Sequence, residues 1–154
     1  MYFQNDSEKI HIILKLSLVA LYILVGFDLA IIAIGYYLAQ YHYASGSVNT
    51  GLRNIIFFVA ISVMVATYIV KKFNLRKLFN LIKDSSISSE KSLYKELFNI
   101  NIIITSMCAA ISIYGLVLVI LGEKIEILLL FVAMSLIGYQ FFRLRPRDLE
   151  NDSD

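Results

Sequence analysis

Apolar positions dominate the chain in four long runs, Leu16–Ala39, Ile55–Val70, Ile100–Leu121 and Ile127–Phe142, with every charged residue but Asp28 falling outside them. None of the runs alternates apolar and polar residues with the period of two that marks a half-buried strand, and each is too long for a tilted barrel strand. A helix of about 20 apolar residues, within a range of roughly 17 to 25, crosses the hydrocarbon core of a bilayer. Peptide groups in lipid must bond within their own segment, which selects helices. The first and third runs meet the length directly. The second and fourth are short and draw on flanking Arg53, Lys71, Lys72 and Arg143, whose apolar stems lie along the helix while their charges reach the headgroups. The pattern predicts an all-α membrane protein, an antiparallel bundle of four transmembrane helices forming one domain.

The polar connections refine this. The segment "YHYASGSVNTGLRN" contains Gly46 and Gly51 as helix breakers and reads as a short loop, and "LGEKIE" reads as a tight turn joining the last two spans. The longest connection is different. In "KKFNLRKLFNLIKD" the apolar residues Leu75, Leu78, Phe79 and Ile82 recur at helical spacing, so the second helix is expected to continue past its span. "SSISS", residues 85–89, supplies capping serines, and Glu90 then falls in the first turn of the next helix, where the dipole favours an acid. Leu93, Tyr94, Leu97 and Phe98 lead into the third span. Residues 71–99 are therefore expected to be a helical extension reaching about 15 to 20 Å beyond the membrane, rather than a basic amphipathic segment lying flat on it. Pro146 marks the end of the fourth helix, and the acidic residues 148–154 are expected to be disordered.

Composition agrees with a lipid environment. Of 154 residues, 58% are hydrophobic and 17% charged, and the mean hydropathy is +0.71, more apolar material than so small a soluble chain can hide. The polar N-terminal stretch and the long first apolar run lack the cleavage pattern of a signal peptide, so the first span is expected to stay as an anchor. The net charge of +2 decides nothing, but its distribution does. Lys9, Lys15, Lys71, Lys72, Arg76, Lys77, Lys83, Lys91, Lys95, Arg143, Arg145 and Arg147 fall on one side of the predicted threading, and only Arg53 and Lys124 on the other. The positive-inside rule then places both termini and the extension in the cytoplasm, with Tyr36, Tyr37, Tyr41 and Tyr43 as an aromatic girdle at the outer interface. Lys71, Lys72, Arg143, Arg145 and Arg147 read as topology determinants and lipid-headgroup contacts, not as a nucleic-acid patch. The richness in isoleucine, lysine and asparagine points to a bacterial inner membrane.

One charged side chain interrupts the first span: Asp28, in "LYILVGFDLAIIAIGYYL". Near the midplane an ionised carboxylate costs about 2.5 to 3.5 kcal/mol even on lenient insertion scales. It can take up a proton, line water, or turn into the bundle and bond a neighbouring helix. No lysine, arginine or histidine lies at its depth, so the candidate partners are Ser62, Thr67, Ser106 and Ser112. Asp28 is thus either interhelical glue or a proton or cation site. Asn99, Asn101, Thr105 and Ser106 at the start of the third span are further candidates for bonds between helices. Gly26 and Ala30, like Gly35 and Ala39, have the small-xxx-small spacing that lets a neighbouring helix approach closely.

Other chemistry is sparse. Cys108 is the only cysteine, which excludes an intrachain disulfide or a CxxC site and leaves a small packing residue. His11 and His42 fall at opposite ends of the first span and cannot share a metal or a haem. No zinc-protease motif, nucleophile elbow or phosphate loop occurs, so neither a metal, a cofactor nor an enzymatic activity is expected. Four thin helices with little polar lining point to a non-enzymatic membrane subunit or scaffold that assembles through its helices into a homo-oligomer or a larger complex, with the bilayer and either further copies of itself or other membrane subunits as its partners. The alternative is an oligomeric proton- or cation-conducting component that uses Asp28.

Two stretches resemble known sequences. "LGEKIEILLLFVAMSLIGYQFFRLRP", Leu121 to Pro146, resembles small uncharacterised bacterial four-helix inner-membrane proteins, with a short outer turn and a last helix ending in arginine and proline. "CAAISIYGLVLVILG", Cys108 to Gly122, more faintly resembles the ion-carrying helix of rotor-ring proteolipids. Ala109 stands where the proteolipid glutamate would be, so that resemblance implies no ion-carrying role for this helix. "AIIAIGYYLA" and "AAISIYGLVL" also resemble one another, as an internal duplication would leave them.

Overall fold

The structure, a computed structural model, describes residues 6–41, 49–83 and 90–145. These form helices α1 (Asp6–Tyr41), α2 (Thr50–Lys83), α3 (Glu90–Ile120) and α4 (Ile125–Phe142). There are no strands among the described residues. All four helices are long and apolar enough to cross a membrane, which defines the fold as a multi-pass helical membrane bundle. Arg147, the serine run 85–89 and the tail 148–154 lie outside the described residues.

The helices are unequal. α1 has 36 residues and α2 has 34, so each is roughly 50 Å long at 1.5 Å per residue, well beyond a hydrocarbon core of about 30 Å. α4 has 18 residues and ends where Arg143 N–H donates to the Tyr139 carbonyl at 2.8 Å. α1 starts well before its apolar run because Ile13 already belongs to the buried face that Leu16, Ala20 and Leu24 continue. α2 starts at a side-chain cap: the Asn49 carboxamide oxygen accepts from Gly51 N–H at 2.9 Å, satisfying a donor with no partner inside the helix.

Contacts fix the arrangement. Tyr139 of α4 meets Ser17 of α1, and Gly35 of α1 meets Leu128 of α4, so these two helices run antiparallel. Asp28 of α1 meets Ser112 of α3, with both helices running the same way. Arg53 of α2 pairs with Glu123 at 3.7 Å, and Lys71 near the other end of the span donates to the Arg143 carbonyl at 3.3 Å. The bundle is therefore up-down-up-down, with the start of α1 and the end of α4 at the same end. α3 is the enclosed helix, 44% of its apolar window being buried against 11% for α2. α2 leans on α3 from outside and touches α1 little.

Among the described residues, three apolar clusters hold the bundle. Ile13, Leu16, Leu75, Leu78, Leu93 and Leu97 gather at one end, where α1, α2 and α3 stay packed past the apolar stretch of α2. Ala60, Ile111, Leu118 and Phe131 join α2, α3 and α4, with the Phe57 and Phe131 rings tilted at 4.7 Å. Ile31, Val119, Leu128 and Val132 join α1, α3 and α4. The turn between α3 and α4 is a Schellman cap: Gly122 has φ 103°, its N–H donates to the Val119 carbonyl, and Glu123 N–H reaches the Leu118 carbonyl at 2.9 Å. Only glycine adopts that backbone cheaply.

Candidate functional site

Apart from Thr67, the buried polar side chains among the described residues fall in two layers across the bundle. The first is built on Asp28. Its neighbours on the inward stripe of α1 are Leu24 and Ile31, so the carboxyl turns away from lipid and is 2% exposed. Ser112 Oγ donates to Asp28 Oδ1 at 2.6 Å. Ser135 of α4, also fully buried, faces the same carboxyl. Asp28 Oδ2 and Ser135 Oγ nevertheless have no hydrogen-bond partner in the protein. A hydroxyl both donates and accepts, so Ser135 complements Oδ2 whether the carboxyl holds a proton or not. Cys108, one helical turn before Ser112, is buried and free. Gly138 leaves room beside it: a methyl group added there would lie 3.9 Å from Cys108 Sγ and 3.4 Å from Met64 Cε.

The second layer lies at the end of the bundle that carries Lys71 and Arg143. Tyr139 OH donates to the Ser17 carbonyl at 2.8 Å, and Ser17 Oγ returns a bond to the Leu144 carbonyl at 3.2 Å. Thr105 Oγ1 donates to the Asn101 carbonyl in its own helix at 2.7 Å and lies beside the Tyr139 hydroxyl. Asn101 is 1% exposed, yet neither its carboxamide nitrogen nor its oxygen is bonded.

Of the four hydroxyl residues proposed from sequence as partners of Asp28, the structure brings Ser112 to it. Ser62 is exposed and donates to the Phe58 carbonyl at 2.9 Å. Thr67 is buried but donates to the Val63 carbonyl at 2.7 Å, as hydroxyls one turn along a helix do. Both belong to peripheral α2, which touches α1 little. Ser106 is exposed. Ser135 was missed by the sequence reading. Its signal is its place on the stripe Leu128, Phe131, Val132, Ser135, Gly138, Tyr139, whose spacing of three and four marks the buried face of α4.

The small-residue pairs divide. Gly35 and Ala39 pack inward. A β-carbon on Gly35 would run into Leu128 Cδ2, and one on Gly115 would lie 3.1 Å from Leu128 Cδ1 and 2.7 Å from Phe131 Cβ. Leu128 is thus a knob seated between glycines of two helices. Gly26 and Ala30 face outward, and nothing lies within 4 Å of the position a β-carbon on Gly26 would take. Among the basic residues, Lys72 is exposed, Lys71 bonds the Arg143 carbonyl, and Arg145 Nη2 donates to the Gln140 carbonyl at 3.1 Å. Among the described residues no three acidic, histidine or cysteine side chains converge to hold a metal.

The fold and these layers define an integral membrane protein in which buried polar side chains tie α1 to α3 and α4. Comparison with known proteins finds no matching family model, no matching curated protein and no matching solved structure.

Proposed function

We propose that the protein is a non-enzymatic subunit or scaffold of a bacterial inner membrane, with both termini in the cytoplasm, that assembles through its transmembrane helices. The observation that carries this reading is the outward face of α1. Gly26 and Ala30 are exposed one turn apart with open space around Gly26, while the other small pair, Gly35 and Ala39, is used inside the chain. Small residues on a lipid-facing stripe let a second helix approach to backbone contact, where packing rather than water expulsion drives association. The orientation rests on the twelve-to-two division of lysine and arginine. In this reading Asp28 is a clasp between α1, α3 and α4.

The experiment is a mass measurement in lipid nanodiscs for the parent and for a Gly26→Leu/Ala30→Leu variant. An oligomeric parent and a variant shifted to monomer are expected. A parent that is monomeric at every protein-to-lipid ratio rejects the proposal.

The unbonded Asp28 Oδ2 and Ser135 Oγ favour a second reading, in which Asp28 takes part in an oligomeric proton or cation path. Liposome flux separates the two: Asp28→Asn abolishes pH-dependent flux if Asp28 titrates during transport. A parent with no flux ends that reading.

A further inference from the structure

Between α1 and α3, at the level of the second polar layer, lies a cavity of about 90 Å³ that opens on the outside of the bundle. Ala20 and Asn101, both buried, stand at its back. Val19 and Ile23 on one helix and Phe98 and Ile102 on the other form its rims, and all four are partly exposed to whatever surrounds the bundle. The walls are apolar. The exceptions at the back are the Thr105 hydroxyl, which donates to the Asn101 carbonyl, and the Asn101 carboxamide, buried with both polar atoms unbonded. Ordered water would have to find its two to four polar partners among Asn101, Thr105, whose hydrogen is already given to the Asn101 carbonyl, and Ser106 at the edge.

The charges above the cavity point to its occupant. Lys15 precedes Val19 by one helical turn, and Lys95 precedes Phe98 by just under one. α1 and α3 run the same way here, so both exposed lysines stand beyond the same end of the cavity, about one turn past the rim residues Val19 and Phe98. A cationic pair, an amide donor about two turns deeper and an apolar slot follow in order toward the membrane interior. That order matches the phosphate, ester carbonyl and acyl chain of an anionic glycerophospholipid.

We propose that the α1–α3 groove is a binding site for one anionic glycerophospholipid, with its phosphate between Lys15 and Lys95, an ester carbonyl accepting from Asn101 Nδ2, and an acyl chain against Ala20. The site does not depend on self-association or on Asp28.

The test uses the full chain in nanodiscs doped with photoactivatable lipids carrying a diazirine on the acyl chain. Phosphatidylglycerol should label peptides 16–23 and 98–106 in preference to the exposed face of α2 around Phe58 and Ile69. Asn101→Leu should lower that labelling about fivefold, the worth of one hydrogen bond. Val19→Trp, which blocks the mouth from the lipid side without entering the core, should abolish it at unchanged helicity. Lys15→Gln/Lys95→Gln should remove the preference for phosphatidylglycerol over phosphate-free diacylglycerol. Even labelling of all four helices overturns the proposal. So does equal labelling by the two lipids in the parent, or a protomer–protomer crosslink through the groove.

Discussion

Tyr139 on α4 donates its phenolic hydrogen to the main-chain carbonyl of Ser17 on α1, 2.8 Å away and 122 residues apart in sequence. Tyr139 is fully buried, and Ser17 in turn bonds the carbonyl of Leu144 just past the end of α4, so the two helices are tied where the chain enters and leaves the bundle. Tyr139→Phe keeps the ring and removes the donor. It should cost about 0.5 to 1.5 kcal/mol, read as a lower midpoint of unfolding in mixed micelles. An unchanged midpoint would show that the Ser17 carbonyl finds another donor.

Asp28 tests the clasp. Asn at this position keeps an oxygen to accept from Ser112 and gains an NH₂ that donates to Ser135, so Asp28→Asn should fall within about 1 kcal/mol of the parent. Asp28→Ala strands the Ser112 hydroxyl and opens a void, and should destabilise by about 1 to 3 kcal/mol. Equal losses in the two variants would mean that the charge, rather than the hydrogen bonds, is what the bundle needs. Steric-trap unfolding in bicelles measures both.

The seat of Leu128 predicts a coupled pair. Gly115→Ala introduces a methyl 2.7 Å from Phe131 Cβ and 3.2 Å from Leu128 Cα, contacts that the surrounding backbone must move to relieve. We expect about 1 to 3 kcal/mol of destabilisation from overpacking. Leu128→Ala empties the seat and costs about 2 to 5 kcal/mol. The double variant should lose less than the sum of the two, because the methyl partly fills the space. Strict additivity in a double-mutant cycle would place the Gly115 clash elsewhere.

Thr67 is the control. It is as buried as Ser112, but its hydroxyl is spent on the Val63 carbonyl of its own helix. Thr67→Val keeps the shape and should change stability by no more than about 0.5 kcal/mol. A larger loss by the same unfolding assay would reveal an interhelical role that the geometry does not contain.

Hydropathy made the four spans readable because lipid tolerates few other sequences, and one aspartate among apolar neighbours stands out in any such run. What the pattern left open is the rotation of each helix about its own axis. In a soluble bundle the polar face supplies it. Here lipid and core are equally apolar, so Ser62 and Ser112 look alike in sequence although one faces outward and the other meets Asp28. The same ambiguity hid the difference between Gly26, with empty space around it, and Gly35, pressed against Leu128. Ser135 was legible only through the three-and-four spacing of small and large residues around it. Asn101 was noticed as polar, but nothing in sequence shows that its carboxamide ends up buried without a partner.

α1 and α2 touch little, because α3 and α4 supply most of the surface against which α1 packs. Order of synthesis and order of packing are therefore at odds: α1 leaves the ribosome before α3 and α4, and must wait for that hairpin before it finds its neighbours. A truncated chain ending before Glu90 would hold two helices with almost nothing to say to each other, whereas the α3–α4 hairpin is the template on which the rest is laid.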